Sequence, residues 1–316
     1  LACSLVVAGL LFLSAQAHGQ AAPRDLRPAL VQADRALAAH DYAQAYRAYQ
    51  RHAATNPLAQ FNLGLFEQQG WGRPANPVAA CAWFDRAAQG HIPAAQQFVG
   101  DCLARGIGRA VDGAAAVAWY RKAAAAGIAY ADCAAGELYL SGAIVPRDVA
   151  HGLALCTGAA QAESVPAMLK LAAYYQANAT LAHARFWYDQ AAQRHHHGAQ
   201  VALGMMLGAG EGGPTDLAQA RFWLEHAAME GYAPAYLPTA ILYANAPVNP
   251  DTGALEPHDL AKVYMWSHAA RARTNDPQQL AAIARIDALV MAVLPEPWQP
   301  ELDRRVADHL ARYAAP

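Results

Sequence analysis

The sequence predicts an all-α fold, a solenoid of stacked antiparallel helix pairs, on three observations. Gly64, Gly100 and Gly136 fall 36 residues apart, and so do Trp83 and Trp119. Between these markers run proline-free stretches, such as Ala95 to Ala104 and Ala114 to Ala126, whose apolar residues recur at three and four and so share one helix face. A glycine turn sits between the two helical stretches, as Gly70-Trp71-Gly72, Gly106-Ile107-Gly108 and Gly210-Glu211-Gly212. Units of this size cannot bury an apolar face alone, so they stack in line and share a continuous core.

The first seventeen residues stand apart from this pattern. Leu5 to Leu13 is a short unbroken apolar run, followed by Ala15-Gln16-Ala17, the small-x-small pattern accepted by signal peptidase. Residues 1–17 therefore read as a secretory signal whose basic start and initiator Met precede the given chain; a retained membrane anchor is the alternative. A first helix is expected from about Leu26 to Ala39. A second follows Asp41-Tyr42, carrying Ala45, Tyr49, Ala53 and Pro57, so that 24–58 forms an N-terminal helix pair.

Six units then span residues 59–271. The glycine register runs on through Ala172, Gly204 and Ala240, and the tryptophan register through Leu155, Trp187, Trp223 and Trp266. One interval shortens to 32 residues before Gly204, and one stretches to 43 before Trp266. The surplus lies in 244–257, where Pro247, Pro250, Gly253 and Pro257 forbid regular structure. Asp112, Asp148 and Asp216 stand seven residues before the tryptophan register, where a short acidic side chain caps the second helix. That helix is expected to end at Gly90, Gly127 or Gly231. Ala80, Ala116, Ala184 and Ala220 alternate with the large register residue, so helices can approach while the tryptophans fill the core. Two amphipathic helices outside the period, within 276–315, close the array with Arg304, Arg305, Asp308 and Arg312 as a polar outer face. The unbroken register argues for one elongated domain.

Trp119-Tyr120-Arg121-Lys122-Ala123-Ala124 followed by Gly127, with its turn, acidic residue and alanine, resembles the Sel1-like repeat, a relative of the tetratricopeptide repeat. The run recurs at Trp83 to Ala88, Trp187 to Ala192 and Trp223 to Ala228. The resemblance covers roughly Leu26 to Ala270 and implies a right-handed α-solenoid of the bacterial exported type that binds a protein or peptide on its concave face. The third unit has Leu155-Cys156-Thr157-Gly158 in place of the aromatic-basic run, and the fourth lacks the glycine turn, so both are expected to be bent or loosely packed.

Cysteine usage fits export. Cys81, Cys102, Cys133 and Cys156 are an even set, and residues equidistant from the turn of an antiparallel pair sit at equal height. That favours Cys81 with Cys102 and Cys133 with Cys156, against buried free thiols. Lys+Arg is 23 against Asp+Glu 25, with only 15% of residues charged, so no basic field recommends nucleic acid or an anionic membrane as partner.

Binding candidates come from the register. Gln60, Gln96, Asp132 and Gln200 each lie four before the glycine position and form a polar row on the first helices, with Asp101 and Glu137 nearby. The expected partner is a basic or amide-rich segment of an envelope protein or peptide, bound by a periplasmic or secreted scaffold without cofactor. Oligomeric state stays open. The other function class is a cell-envelope hydrolase or β-lactam-interacting protein. No Ser-x-x-Lys, His-Glu-x-x-His or Gly-x-Ser-x-Gly occurs, so no catalytic residues are assigned. His195-His196-His197 reads as a solvated turn, and no metal ligand set is assigned, because adjacent turn residues cannot all face one ion.

Overall fold

The computed structural model describes residues 26–313, so the signal segment 1–17 lies outside the described residues. These residues divide at Ile92 and Pro93 into two compact units rather than the single domain expected. Contacts in a repeat array are local, so unbroken register does not by itself make one body.

The first unit holds α1 (Val31–Ala38), α2 (Tyr42–His52), α3 (Pro57–Gln69) and α4 (Pro77–Gln89) around Leu30, Tyr49, Leu63 and Phe66. The second holds four further pairs, α5 (Pro93–Arg105) with α6 (Gly113–Ala125), α7 (Ala129–Ser141) with α8 (Val149–Gln161), α9 (Val165–Ala177) with α10 (Leu181–Ala192), and α11 (His197–Ala209) with α12 (Leu217–Met229). It continues with α13 (Tyr236–Ala244), the long loop, α14 (Pro257–Arg271), α15 (Pro277–Met291) and α16 (Gln299–Arg312). The fold is an all-α solenoid of stacked antiparallel helix pairs, with no strand among the described residues.

The turn inside each pair is a repeated piece of hydrogen bonding. The backbone N–H groups of Asn76, Asp112, Asp148 and Asp216 donate to the carbonyls nine residues back at 2.7–3.1 Å. Their side chains accept from Ala79, Ala115, His151 and Gln219 N–H groups at 2.9–3.0 Å, satisfying donors that a helix start leaves open. Both turn glycines have positive φ, 67° at Gly106 and at Gly108, which makes glycine the low-strain residue there. The fourth pair dispenses with this turn: α9 and α10 are joined by residues 178–180 alone, with Ala179 left-handed, and that accounts for the interval of 32.

The second helices end where expected, at Gly90 or just before Gly127 and Gly231. Gly90 itself has φ −83°, and the left-handed residue is the next one, His91, in register with Gly127, Glu163, His195 and Gly231. Gly90 is small for another reason: a Cβ there would stand 2.2 Å from Pro57 Cγ. A non-glycine residue held left-handed costs about 1 kcal/mol, so His91→Gly, at an exposed site with φ 62°, is expected to raise stability by a few tenths to about 1 kcal/mol in urea unfolding.

The tryptophan stripe is only partly core. The residue against the register glycine is the one after the tryptophan: a Cβ on Gly64 would meet Phe84 at 2.4 Å, on Gly100 Tyr120 at 2.5 Å, and on Gly204 Leu224 at 2.6 Å. Trp187 and Trp266 are buried, whereas Trp83, Trp119 and Trp223 are half-buried at the flank of the pair, one helical step round. In the first two repeats a cation covers the indole, Arg86 over Trp83 at 4.7 Å and Lys122 over Trp119 at 4.2 Å.

Neither irregular pair is loose. In α7–α8 the backbones come so close that a Cβ on Gly136 would lie 2.6 Å from the Gly152 carbonyl oxygen. Cys133 and Cys156 are bridged beside this contact, and Cys81 and Cys102 are likewise disulfide-bonded cysteines. In α9–α10, Met168, Leu171 and Trp187 are buried. At the far end α16 covers the last pair, with His309 against Tyr236 and Trp266 and with Arg304, Arg305, Asp308 and Arg312 exposed.

Tyrosine hydroxyls tie many helices together by donating to carboxylates: Tyr46 to Glu67, Tyr49 to Asp34, Tyr120 to Asp101, Tyr243 to Glu225 and Tyr264 to Asp303, at 2.6–2.8 Å. Burial, reinforced by these carboxylates, pushes Tyr264 up to about 12 and raises Tyr49, Tyr120 and Tyr243 further. For Tyr130 burial and Glu137 do the same, again to about 12. A folded state that holds its phenolic protons more tightly keeps that stability in full below the ordinary pKa of 10.0 and loses it as pH rises towards 12. The melting temperature is therefore expected to drop steeply above pH 10, with these tyrosines ionising, by absorbance at 295 nm, only as the chain unfolds.

Candidate functional site

The polar row does not line an open groove. Gln96 and Gln200 are 6% and 0% exposed. Gln200 Nε2 donates to the Ala192 carbonyl at 3.3 Å, and Gln60 Nε2 to the Ala53 carbonyl at 2.8 Å. Both carbonyls sit at the end of the preceding second helix, that of Ala192 also accepting from the His195 N–H at 3.0 Å. Gln60 and Gln200 thus staple one pair to the next. Asp132, half-buried, faces Arg121 at 3.4 Å. Sequence alone gives no sign of this, because burial of a glutamine depends on the pair stacked before it.

Asp101 and Glu137 do remain on the first-helix face, one residue after the register glycine. The Tyr120 hydroxyl donates to Asp101, and burial raises the Asp101 carboxyl above its ordinary value. Glu137 accepts from Tyr130 at 3.3 Å and pairs with Lys170 at 2.6 Å. The same register position continues as Ala173, Met205 and Ile241 on α9, α11 and α13, and all three are exposed. One strip therefore passes from carboxylates to apolar side chains, 54% exposed at Met205 and 41% at Ile241. Beside Ile241 a cavity of about 390 Å³ is lined by Leu237, Pro238, Ala270 and Arg273.

Two constellations invite a catalytic or metal reading. Ser267, His268 and Asp287 are neighbours, but Ser267 is fully buried and its hydroxyl donates to Asp287 at 2.7 Å, while His268 Nδ1 lies 3.0 Å from the Tyr264 carbonyl. Arg271 also holds Asp287, so the trio closes α14 onto α15 and presents no nucleophile. The second lies between the turn before α11 and the end of α12. His197 Nε2 is 2.5 Å from one Glu230 oxygen and His226 Nε2 3.8 Å from the other, and the His195 ring is 6.3 Å from that of His226. The hydrogen bond with His197 holds the Glu230 carboxyl below its ordinary value, helped by the other two imidazoles. No three His, Cys, Asp or Glu side chains among the described residues gather as a group that could hold a metal. No helix among them is long and apolar enough to cross a membrane.

The Sel1 repeat family matches residues 57–91, 93–128, 129–164 and 197–232, which are the pairs α3–α4, α5–α6, α7–α8 and α11–α12. The pair with the shortened turn and the pair with the long loop fall outside the matched segments. No curated protein matches the chain. Among solved structures, a protective antigen of uropathogenic Escherichia coli strains with an SLR fold aligns at a TM-score of 0.61 and 22% identity. The alignment covers 86% of this chain but only 57% of that one. A Sel1 repeat protein from Oxalobacter formigenes aligns at a TM-score of 0.52 and 24% identity, covering 73% of this chain and 94% of that one. At these identities the likeness concerns the fold. Four matched segments at the period of the turn glycines and the Trp-to-Ala-Ala runs make this chain a Sel1-like repeat protein.

Proposed function

We propose that this chain is an exported, non-enzymatic scaffold that captures a protein or peptide of the cell envelope on the first-helix face of its second unit. The Sel1 repeat fold is typical of protein–protein interaction scaffolds. The observation that carries the reading is the strip Asp101, Glu137, Ala173, Met205 and Ile241, which suits a segment basic at one end and apolar at the other. Disulfide-bonded cysteines fit an oxidising compartment, in keeping with the periplasm or the exterior.

The test is capture of envelope proteins by the mature chain, read by mass spectrometry. A variant with Asp101→Asn, Glu137→Gln, Met205→Ser and Ile241→Ser alters two exposed apolar side chains and two partly buried carboxylates, keeps an acceptor for Tyr120 at 101, and is expected to melt within a few degrees of the parent while losing the parent's partners. An unchanged set of captured proteins at unchanged stability sinks the groove.

A further inference from the structure

We propose that a cleft on the second-helix side, between α10 and α12, docks a basic segment of a partner polypeptide, taking an Arg or Lys side chain between aromatic rings and carboxylates. The cleft has a volume of about 440 Å³ and is walled by Phe186 and Trp223, with Leu203 at its floor and Arg185, Asp189 and Asp216 along its sides. Phe186 and Phe222 precede the tryptophan at equivalent positions and are 52% and 54% exposed, where Ala82, Ala118 and Ala154 stand in the first three repeats.

The chain supplies its own template for what such a wall binds. Three residues after the tryptophan, the first two repeats carry Arg86 and Lys122, each lying over its indole. The fourth and fifth carry Gln190 and His226 there instead, so Phe186 joins the aromatic wall just where the permanent cation is withdrawn. Aromatic faces attract cations, most strongly at Trp and away from bulk water. The charge of the cleft agrees: two carboxylates face one guanidinium, and Arg185 Nη1 is directed to the Pro214 carbonyl at 3.0 Å. Asp189 is bonded by Gln193 at 2.7 Å, and burial lifts its carboxyl, so an incoming cation relieves a desolvated charge.

The surface is distinct from the first-helix strip, so either can fail alone. The probe is acetyl-Gly-Arg-Ala-Arg-Gly-amide, compared by calorimetry or NMR at low salt with its twin carrying neutral citrulline for arginine. The arginine peptide is expected to bind, with the twin roughly tenfold weaker. Asp189→Asn, Phe186→Ala and Phe186→Leu, the last preserving bulk without the ring, are each expected to weaken binding roughly five- to tenfold. Asp308→Asn, an exposed carboxylate of α16 outside both surfaces, is expected to leave it unchanged. Equal affinity for both peptides, no binding of either, or full affinity in the cleft variants overturns the proposal. Affinity lost on Asp101→Asn with Glu137→Gln but kept in the cleft variants overturns it too, by placing the basic segment on the first-helix face.

Discussion

Gly136→Ala is expected to destabilise the chain by about 2–3 kcal/mol, against the direction of helix propensity. Propensity alone favours alanine over a mid-helix glycine by about 1 kcal/mol. The added methyl, however, would stand 2.6 Å from the Gly152 carbonyl oxygen, 3.2 Å from Cys156 Sγ and 3.3 Å from Leu155 Cβ. The first of these is backbone and cannot rotate away, and the Cys133 to Cys156 bridge prevents the helices from simply parting. Gly158→Ala in the same pair is the control. It is exposed in α8 with nothing within 4 Å of the new Cβ, and it is expected to gain about 0.5–1 kcal/mol. Equal unfolding midpoints for the two variants in urea would falsify the claim that close approach, rather than chance, keeps glycine at 136.

Removing the Cys133 to Cys156 bridge is expected to cost about 3 kcal/mol, the entropy that closing a loop of this length takes from the unfolded chain. The two cysteines are 23 residues apart, and both are buried in the closest helix pair. A Cys133→Ala, Cys156→Ala variant separates this bridge from the bonding of Cys81 and Cys102, which reductant would also break. An unfolding midpoint equal to the parent's under oxidising conditions would mean that packing across Gly136 and Gly152 holds the pair unaided.

Much of the fold was legible in the order of residues. Asp112, Asp148 and Asp216 cap the helices expected of them, because a cap needs only an acceptor and the next three N–H groups. The shortened interval likewise became a short turn, since chain length between two helices is itself part of the sequence. The site was less legible. Gln96 and Gln200 look like surface residues in a polar row, yet stacking buries both, and Gly90 stops its helix as expected but must also be small because Pro57 lies against it. His226 and Glu230 gave no hint of meeting His195 and His197, about thirty residues earlier.

The sequence by itself determined the repeat, the helix pairs, their turns and most of their caps, because each of these depends on residues within one period of one another. Only the tertiary structure decided which face of each helix is shut and which is left open. Burial is set by the neighbouring pair, so it took stacking to turn the glutamine row inward, to leave Asp101 to Ile241 as a strip on the first-helix face, and to set Phe186 and Trp223 around a cleft.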